Sequence, residues 1–162
     1  MNQAPMLAEL ARNADVDLLM LAGRYTLLEQ GALDDLLPVC EQRGVGVVIA
    51  GAFNSGLLAH EHVRDLETYN YAPAPAEVVG RARRIAAVCE RHGTTLPAAA
   101  VAFSLAHPAV VSVCVGARSP QQARRNAHLR GTAIPPALWD ELRDVGLLRA
   151  DAPVPGRCRL WS

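Results

Sequence analysis

A valine-rich apolar run that leads directly into a helix start limits most strongly how this chain can fold. The run Val110–Val115 ends at Gly116, and Ser119 and Pro120 follow with polar residues behind them. Serine is a favoured helix N-cap, and proline fits the first helical turn because no N–H is needed there. The pattern predicts a buried strand whose C-terminal end leads to the N-terminus of a helix over 119–128.

Two further apolar stretches, Asp17–Ala22 and Val45–Ala50, are typical of strands that are covered on both faces. Strands that alternate with helices favour right-handed crossovers and a parallel sheet. We therefore expect an α/β fold with three parallel strands and outer helices. A small flavodoxin-like sheet is the alternative, although that topology normally needs about five strands. The other predicted helices are Leu33–Arg43, Ala76–His92, Thr95–Ala106 and Pro135–Val145, and the long loop 51–75 is a candidate binding loop.

Composition narrows the class of partner. The 162 residues carry no formal net charge and only 4% aromatic residues, which argues against a nucleic-acid surface. No apolar run is long enough to span a bilayer and no signal peptide is recognisable, so we expect a cytoplasmic protein that does not bind membranes. Cysteines 40, 89 and 114 lie in apolar contexts that predict core positions, whereas Cys158 is expected to be exposed. Their wide spacing predicts neither a zinc site nor a redox pair.

The turn at 116–119 has the chemistry of an anion site. A helix N-terminus offers free N–H groups and the positive end of the helix dipole, and Arg118 adds a guanidinium group. Phosphate is the ligand that this combination favours. The alternative is an ordinary connection between a strand and a helix, which any α/β protein repeats.

The same segment resembles the last strand–helix unit of the aldo/keto reductases, in which an apolar strand is followed by Gly, Arg, Ser, Pro, x, Gln and then Asn. Leu18–Gln30 resembles the sixth barrel strand and its loop, and Gly44–Leu58 resembles the seventh strand and its loop. The segment Ile134–Leu142 and the motifs Gly-Arg-Tyr-Thr-Leu-Leu and Phe-Asn-Ser-Gly resemble those of the sugar- and pyridoxal-dehydrogenase branch. The resemblance implies the C-terminal portion of a (β/α)8 barrel over residues 1–156, a tail over 157–162, and NAD or NADP as cofactor.

The resemblance also implies which residues bind that cofactor. The loop Phe53, Asn54 and Ser55 would cover the pyrophosphate, and Asn2 would contact the nicotinamide amide. Without the resemblance, the loop is merely a turn, Arg118 is a solvated surface residue, and Asn2 lies at a frayed end. The phosphates and the adenosine would be held by Gly116, Ala117, Arg118, Ser119, Gln122 and Asn126.

By resemblance, Met1, Asn2 and Gln3 match the end of the fifth strand, and the family's catalytic Asp, Tyr, Lys and His belong to the part of the barrel formed by strands one to five. All 16 basic residues of the chain are arginine, so it supplies no lysine and we assign no catalytic residue. The family oxidises sugars or reduces aldehydes and ketones, and we expect this chain to be inactive alone. Three hypotheses remain: a truncated reductase, a split enzyme completed by a partner chain or by self-association, and a non-catalytic nucleotide-binding module.

Overall fold

A computed structural model of the protein describes residues 1–63, 68–70 and 72–156. The predicted tail 157–162, with Cys158, lies outside the described residues. The strands are β1 (Leu18–Ala22), β2 (Gly46–Ala50), β3 (Thr68–Tyr69), β4 (Ala72–Pro73) and β5 (Val110–Cys114). The helices are α1 (Ala4–Asn13), α2 (Leu36–Arg43), α3 (Ala76–Arg91), α4 (Leu96–Ser104), α5 (Pro120–Leu129) and α6 (Pro136–Asp144), with 3-10 turns at Gly31–Leu33 and Asn54–Gly56.

The main sheet has three parallel strands in the order β1-β2-β5, which confirms the predicted α/β arrangement. β1 and β2 pair without a break from Leu18 opposite Gly46 to Ala22 opposite Ala50. In the pairing of β2 with β5, Val47 lies opposite Val110 and Val48 lies opposite Ser112, so Val111 is left without a partner residue on β2. The carboxyl ends of all three strands therefore meet at one edge of the sheet, and their loops lie side by side there.

The two faces of this sheet differ in what covers them. Leu19, Leu21, Val47 and Ile49 belong to one buried core together with side chains from the helices. On the strand pair β1–β2, residues 18 and 20 point to the opposite face from residues 19 and 21. That opposite face is open, since Leu18 is 56% exposed and Met20 is 50% exposed.

The secondary-structure elements begin and end near the predicted residues, with three differences. α1 is a helix that the sequence analysis does not predict. The stretch predicted as one helix over Leu33–Arg43 is a 3-10 turn followed by α2, which places Pro38 in the first turn, where it needs no N–H partner. The loop 51–75 contains a 3-10 turn and the β3–β4 ribbon. No helix in the described ranges is both long and apolar enough to cross a membrane.

Cysteine burial corrects one sequence prediction. Cys40 and Cys89 are buried, as expected, and burial raises the pKa of Cys89 to about 12. Cys114 is exposed rather than part of the core. The prediction was wrong because it treated β5 as covered on both faces, whereas Cys114 pairs with Ala50 at the carboxyl edge of the sheet, beside open space.

Candidate functional site

A cavity of about 770 Å³ opens at the carboxyl ends of β2 and β5. Its walls come from the loop after β2, the turn after β5 and the first two turns of α5. The lining residues include Phe53, Asn54, Ser55, Gly116, Ala117, Arg118, Gln122 and Asn126. The structure therefore brings together, around one space, every residue assigned by resemblance to the phosphates and the adenosine except Ser119, whereas Asn2, assigned to the nicotinamide, lies at another cavity. Their role as ligands stays a prediction.

Ser119 lies just behind this wall and shapes the start of α5. Its backbone is extended, with φ −151° and ψ 157°, and its Oγ accepts a hydrogen bond from the Gln122 N–H at 3.2 Å. Pro120 occupies the first helical position, as predicted. The predicted cap is thus confirmed, and it points the N-terminus of α5 at the cavity.

Two amide side chains on α5 reach back to the turn that precedes the helix. The Arg118 N–H donates to Gln122 Oε1 at 2.7 Å, and Asn126 Nδ2 donates to the Gly116 carbonyl at 3.1 Å. These bonds hold the turn against its own helix. Gln122 and Asn126 therefore have a structural task in the unliganded protein that the sequence analysis did not foresee.

Asn126 also has an unused acceptor. Its side chain lines the cavity and the residue is only 7% exposed, yet its Oδ1 has no hydrogen-bond partner among the described residues. A buried polar atom without a partner is unfavourable, and it is expected to gain from a donor that enters the site. An amino group such as that of adenine has the required chemistry.

The electrostatics of the cavity favour an anion. Arg118 and Arg125 line it, both are exposed, and neither forms an ion pair within the described part of the chain. Among the described lining residues there is no carboxylate. Two guanidinium groups beside a helix N-terminus match phosphate in charge and in hydrogen-bond geometry.

The loop after β2 forms the facing wall in an uncommon backbone conformation. Asn54 and Ser55 both have a positive φ, 44° and 60°, which is uncommon for residues other than glycine. Phe53 is partly buried and packs against the core, whereas Ser55 is exposed at the cavity. Asn54 is buried, and its side chain is bonded to the neighbouring loop.

A second cavity of about 560 Å³ lies near the start of α1 and includes Asn2, Arg24 and Glu29 among its lining residues. Arg24 Nη1 lies 3.3 Å from Glu29 Oε1. Asn2 is exposed there, while the preceding residue is tied to β1 because the Met1 carbonyl accepts the Ala22 N–H at 2.8 Å. Tyr25, in contrast, is fully buried with its ring centroid 5.0 Å from that of Phe103, so it packs in the core.

Comparison with known proteins settles the family. The sequence profile of the aldo/keto reductase family matches residues 2–146. The chain belongs to the aldo/keto reductase family. This agrees with the resemblance carried by the Gly-Arg-Tyr-Thr-Leu-Leu and Phe-Asn-Ser-Gly motifs.

Two curated aldo/keto reductase relatives are similar over most of this chain. D-threo-aldose 1-dehydrogenase from a Pseudomonas species is 45% identical over 142 residues, which is 88% of the chain and 43% of that protein. Pyridoxal 4-dehydrogenase from Microbacterium luteolum is 40% identical over 147 residues, which is 91% of the chain and 43% of that protein. The chain thus spans less than half the length of these relatives.

A solved aldo-keto reductase from Bacillus halodurans, in its holo form, has a similar fold, with a TM-score of 0.68 and 20% identity. The match covers 94% of this chain and 49% of that structure. The three parallel strands and their helices therefore form part of an aldo/keto reductase fold, about half of one chain.

Sequence reasoning missed two contributors to the site. Arg125 lines the cavity beside the residues assigned by the family pattern, and its place three residues after Gln122, on the same side of α5, could have been found from helical periodicity. Thr26 lies outside the cavity lining but bonds to Asn54 at 2.6 Å across 28 residues of sequence. No local pattern could have revealed that second contact.

Proposed function

We propose that these residues are the nucleotide-binding part of an NAD(P)-dependent oxidoreductase and correspond to the C-terminal portion of the family's (β/α)8 barrel, over residues 1–156. The observation that carries this proposal is the cavity at the ends of β2 and β5. It combines Arg118 and Arg125, a capped helix N-terminus and the unpaired acceptor of Asn126. The arginines and the helix N-terminus suit the phosphates of a dinucleotide, and the acceptor of Asn126 suits its adenine.

The pyrophosphate fits best at the N-terminus of α5. There the helix dipole and Arg118 favour negative charge, and Ser55 faces the same space from the loop after β2. Asn126 Oδ1 would accept a hydrogen bond from the adenine amino group. When bound, the nicotinamide ring of the cofactor supplies the hydride acceptor or donor for the family reaction.

The proposed substrate class is an aldose or an aromatic aldehyde, and it is supported by two relatives, of which one is named for D-threo-aldoses and the other for pyridoxal. Proton transfer in that chemistry needs a positioned acid or base. The 162 residues contain no lysine, so the family's catalytic lysine is proposed to come from outside them, and by the family pattern its catalytic Asp, Tyr and His are proposed to come from there as well. On this basis the described half binds nucleotide and does not turn over substrate by itself.

A second candidate, the split enzyme, is favoured by the open face of the sheet. Leu18, Met20 and Val111 are each at least half exposed on β1 and β5, the two strands that flank β2, and such apolar exposure on one sheet favours association. A polypeptide that supplies the other barrel strands, or a second copy of this chain, would cover them. A polypeptide with the other barrel strands would also supply the missing catalytic residues.

The first test is binding of ADP-ribose to the purified chain by calorimetry, with Arg118→Ala as the variant. Loss of a charge-assisted hydrogen bond to phosphate costs about 1.5–3 kcal/mol, so we expect affinity to fall at least tenfold. Arg124→Ala is the matched control, because Arg124 is an exposed arginine on the same helix that does not line the cavity.

Adenosine, which lacks the pyrophosphate, separates the two ends of the site. Arg118→Ala should leave adenosine affinity unchanged while it weakens ADP-ribose. If the wild-type chain binds neither ligand, or if Arg118→Ala and Arg124→Ala weaken ADP-ribose equally, the site is not a nucleotide site of this kind.

A further inference from the structure

The loops that follow β1 and β2 are in direct contact with each other where they leave the sheet. The Gly23 N–H donates to the Ala50 carbonyl at 2.8 Å, and Gly23 and Gly51 both have a φ of 66°. A Cβ atom added at Gly51 would lie 3.3 Å from the Gly23 nitrogen. Two glycines thus let the loops run side by side, and the motifs Gly-Arg-Tyr-Thr-Leu-Leu and Phe-Asn-Ser-Gly meet just beyond this point.

Thr26 is the residue of the first motif that joins the two loops. It is fully buried, and its hydroxyl donates to Asn54 Oδ1 at 2.6 Å. The Thr26 hydroxyl oxygen also accepts hydrogen bonds from the N–H groups of Leu28 at 3.2 Å and Glu29 at 3.0 Å. A hydroxyl has one donor and two acceptor positions, so Thr26 uses its full hydrogen-bonding capacity. It fixes its own turn and the neighbouring loop together.

Asn54 is the partner in the second motif. Its Oδ1 accepts from Thr26, and its Nδ2 donates to the Gly23 carbonyl at 3.3 Å. The residue is 4% exposed. Its φ of 44° and the φ of 60° at Ser55 lie in the left-handed region, which asparagine tolerates but which is disfavoured for serine. Such a conformation persists only when the surrounding structure enforces it. The two bonds of the Asn54 amide provide that enforcement.

We propose that Thr26 is a positioning residue of the nucleotide site, acting through Asn54. The proposal rests on the nucleotide-binding function proposed above. Phe53 and Ser55 flank Asn54 and line the cavity, whereas Thr26 does not. With Asn54 bonded to Thr26 and Gly23, the wall that faces α5 is already formed before a ligand arrives. A preformed wall spares the ligand the entropy of ordering the loop, and this raises affinity without any direct contact from Thr26.

The decisive comparison is Thr26→Val with Thr26→Ser. Valine keeps the shape of threonine but lacks the hydroxyl, and serine keeps the hydroxyl but lacks the methyl group. We expect Thr26→Val to weaken ADP-ribose binding about tenfold and adenosine binding less than twofold, because the wall at Ser55 faces the pyrophosphate. Thr26→Ser should restore ADP-ribose affinity to within about threefold of the wild-type value.

A stability control separates positioning from general weakening of the fold. Val88→Ala removes buried volume from α3, away from both loops, and binding is compared at a temperature well below the unfolding midpoint of every variant. Equal loss of ADP-ribose affinity in Val88→Ala and Thr26→Val overturns the proposal, as does unchanged affinity in Thr26→Val.

Amide hydrogen exchange gives a readout that needs no ligand. Thr26→Val should speed exchange at residues 53–56 relative to the rest of the unliganded protein, and Thr26→Ser should not. Faster exchange at 53–56 in Thr26→Val, together with a wild-type chain that binds no ADP-ribose, would support the loop coupling while refuting the nucleotide site. Unchanged exchange at 53–56 would refute the coupling even if the nucleotide binds.

Discussion

At the scale of single residues, His107 shows how burial decides protonation. Its Nδ1 accepts the Ala109 N–H at 3.1 Å, so this nitrogen carries no proton in the folded protein. Burial lowers the pKa of His107, and the charge of Glu41 opposes that shift only in part. The helix predicted over Thr95–Ala106 would place His107 directly at its end. α4 instead ends at Ser104, and His107 lies in the core beyond it.

The pH dependence of stability follows from that shift. A histidine with a lowered pKa in the folded state binds its proton more readily in the unfolded state, so protonation favours unfolding. The free energy of unfolding should therefore decline as the pH falls from 7.0 to 5.5, below the ordinary histidine pKa of about 6.5. His107→Asn, which offers an acceptor but does not titrate there, should flatten this decline in urea titrations. An equal decline in the variant would show that other groups control it.

At the scale of elements, α5 combines a structural cap with the proposed anion site, and substitutions at Ser119 can separate the two. Ser119→Ala removes the cap on Gln122 and should cost about 1 kcal/mol of stability. Ser119→Asp retains a capping oxygen and should keep the wild-type stability, but its negative charge should weaken ADP-ribose binding more than tenfold. Urea unfolding and calorimetry measure the two effects. Wild-type affinity in Ser119→Asp would place the phosphate elsewhere.

The elements predicted best were those whose signals are local. Gly116, Ser119 and Pro120 mark the start of α5 within five residues, and a glycine or proline near each boundary similarly located α3 and α4. α1 was missed because the resemblance assigned the first residues to the end of a strand, although Pro5 stands in its first turn and Leu7, Ala8 and Ala11 form its buried stripe.

The contacts that organise the site were beyond sequence reasoning for a physical reason. Thr26 and Asn54 are 28 residues apart and meet only because β1 and β2 are adjacent and parallel. Likewise, the exposure of Cys114 depends on what covers one face of the sheet, and an apolar run does not carry that information.

At the scale of the whole molecule, the chain has one well-covered face and one open face. The buried side joins the sheet to the helices, and the aromatic rings of Tyr25, Phe103 and Trp139 follow one another at centroid distances of 5.0 and 6.4 Å. The open side exposes Leu18, Met20 and Val111. The cavity proposed to bind nucleotide lies at the carboxyl edge between these faces, where in barrel enzymes the loops carry the function.

The central claim is that this chain carries a nucleotide-phosphate site at the ends of β2 and β5, and nuclear magnetic resonance tests it most directly. Isotope-labelled protein is titrated with ADP-ribose, and the backbone amide shifts are mapped onto the structure. Saturable shifts should concentrate at residues 51–56 and 115–122. Shifts confined to the second cavity, at residues 2–6 and 24–32, or the absence of any saturable shift, would contradict the claim.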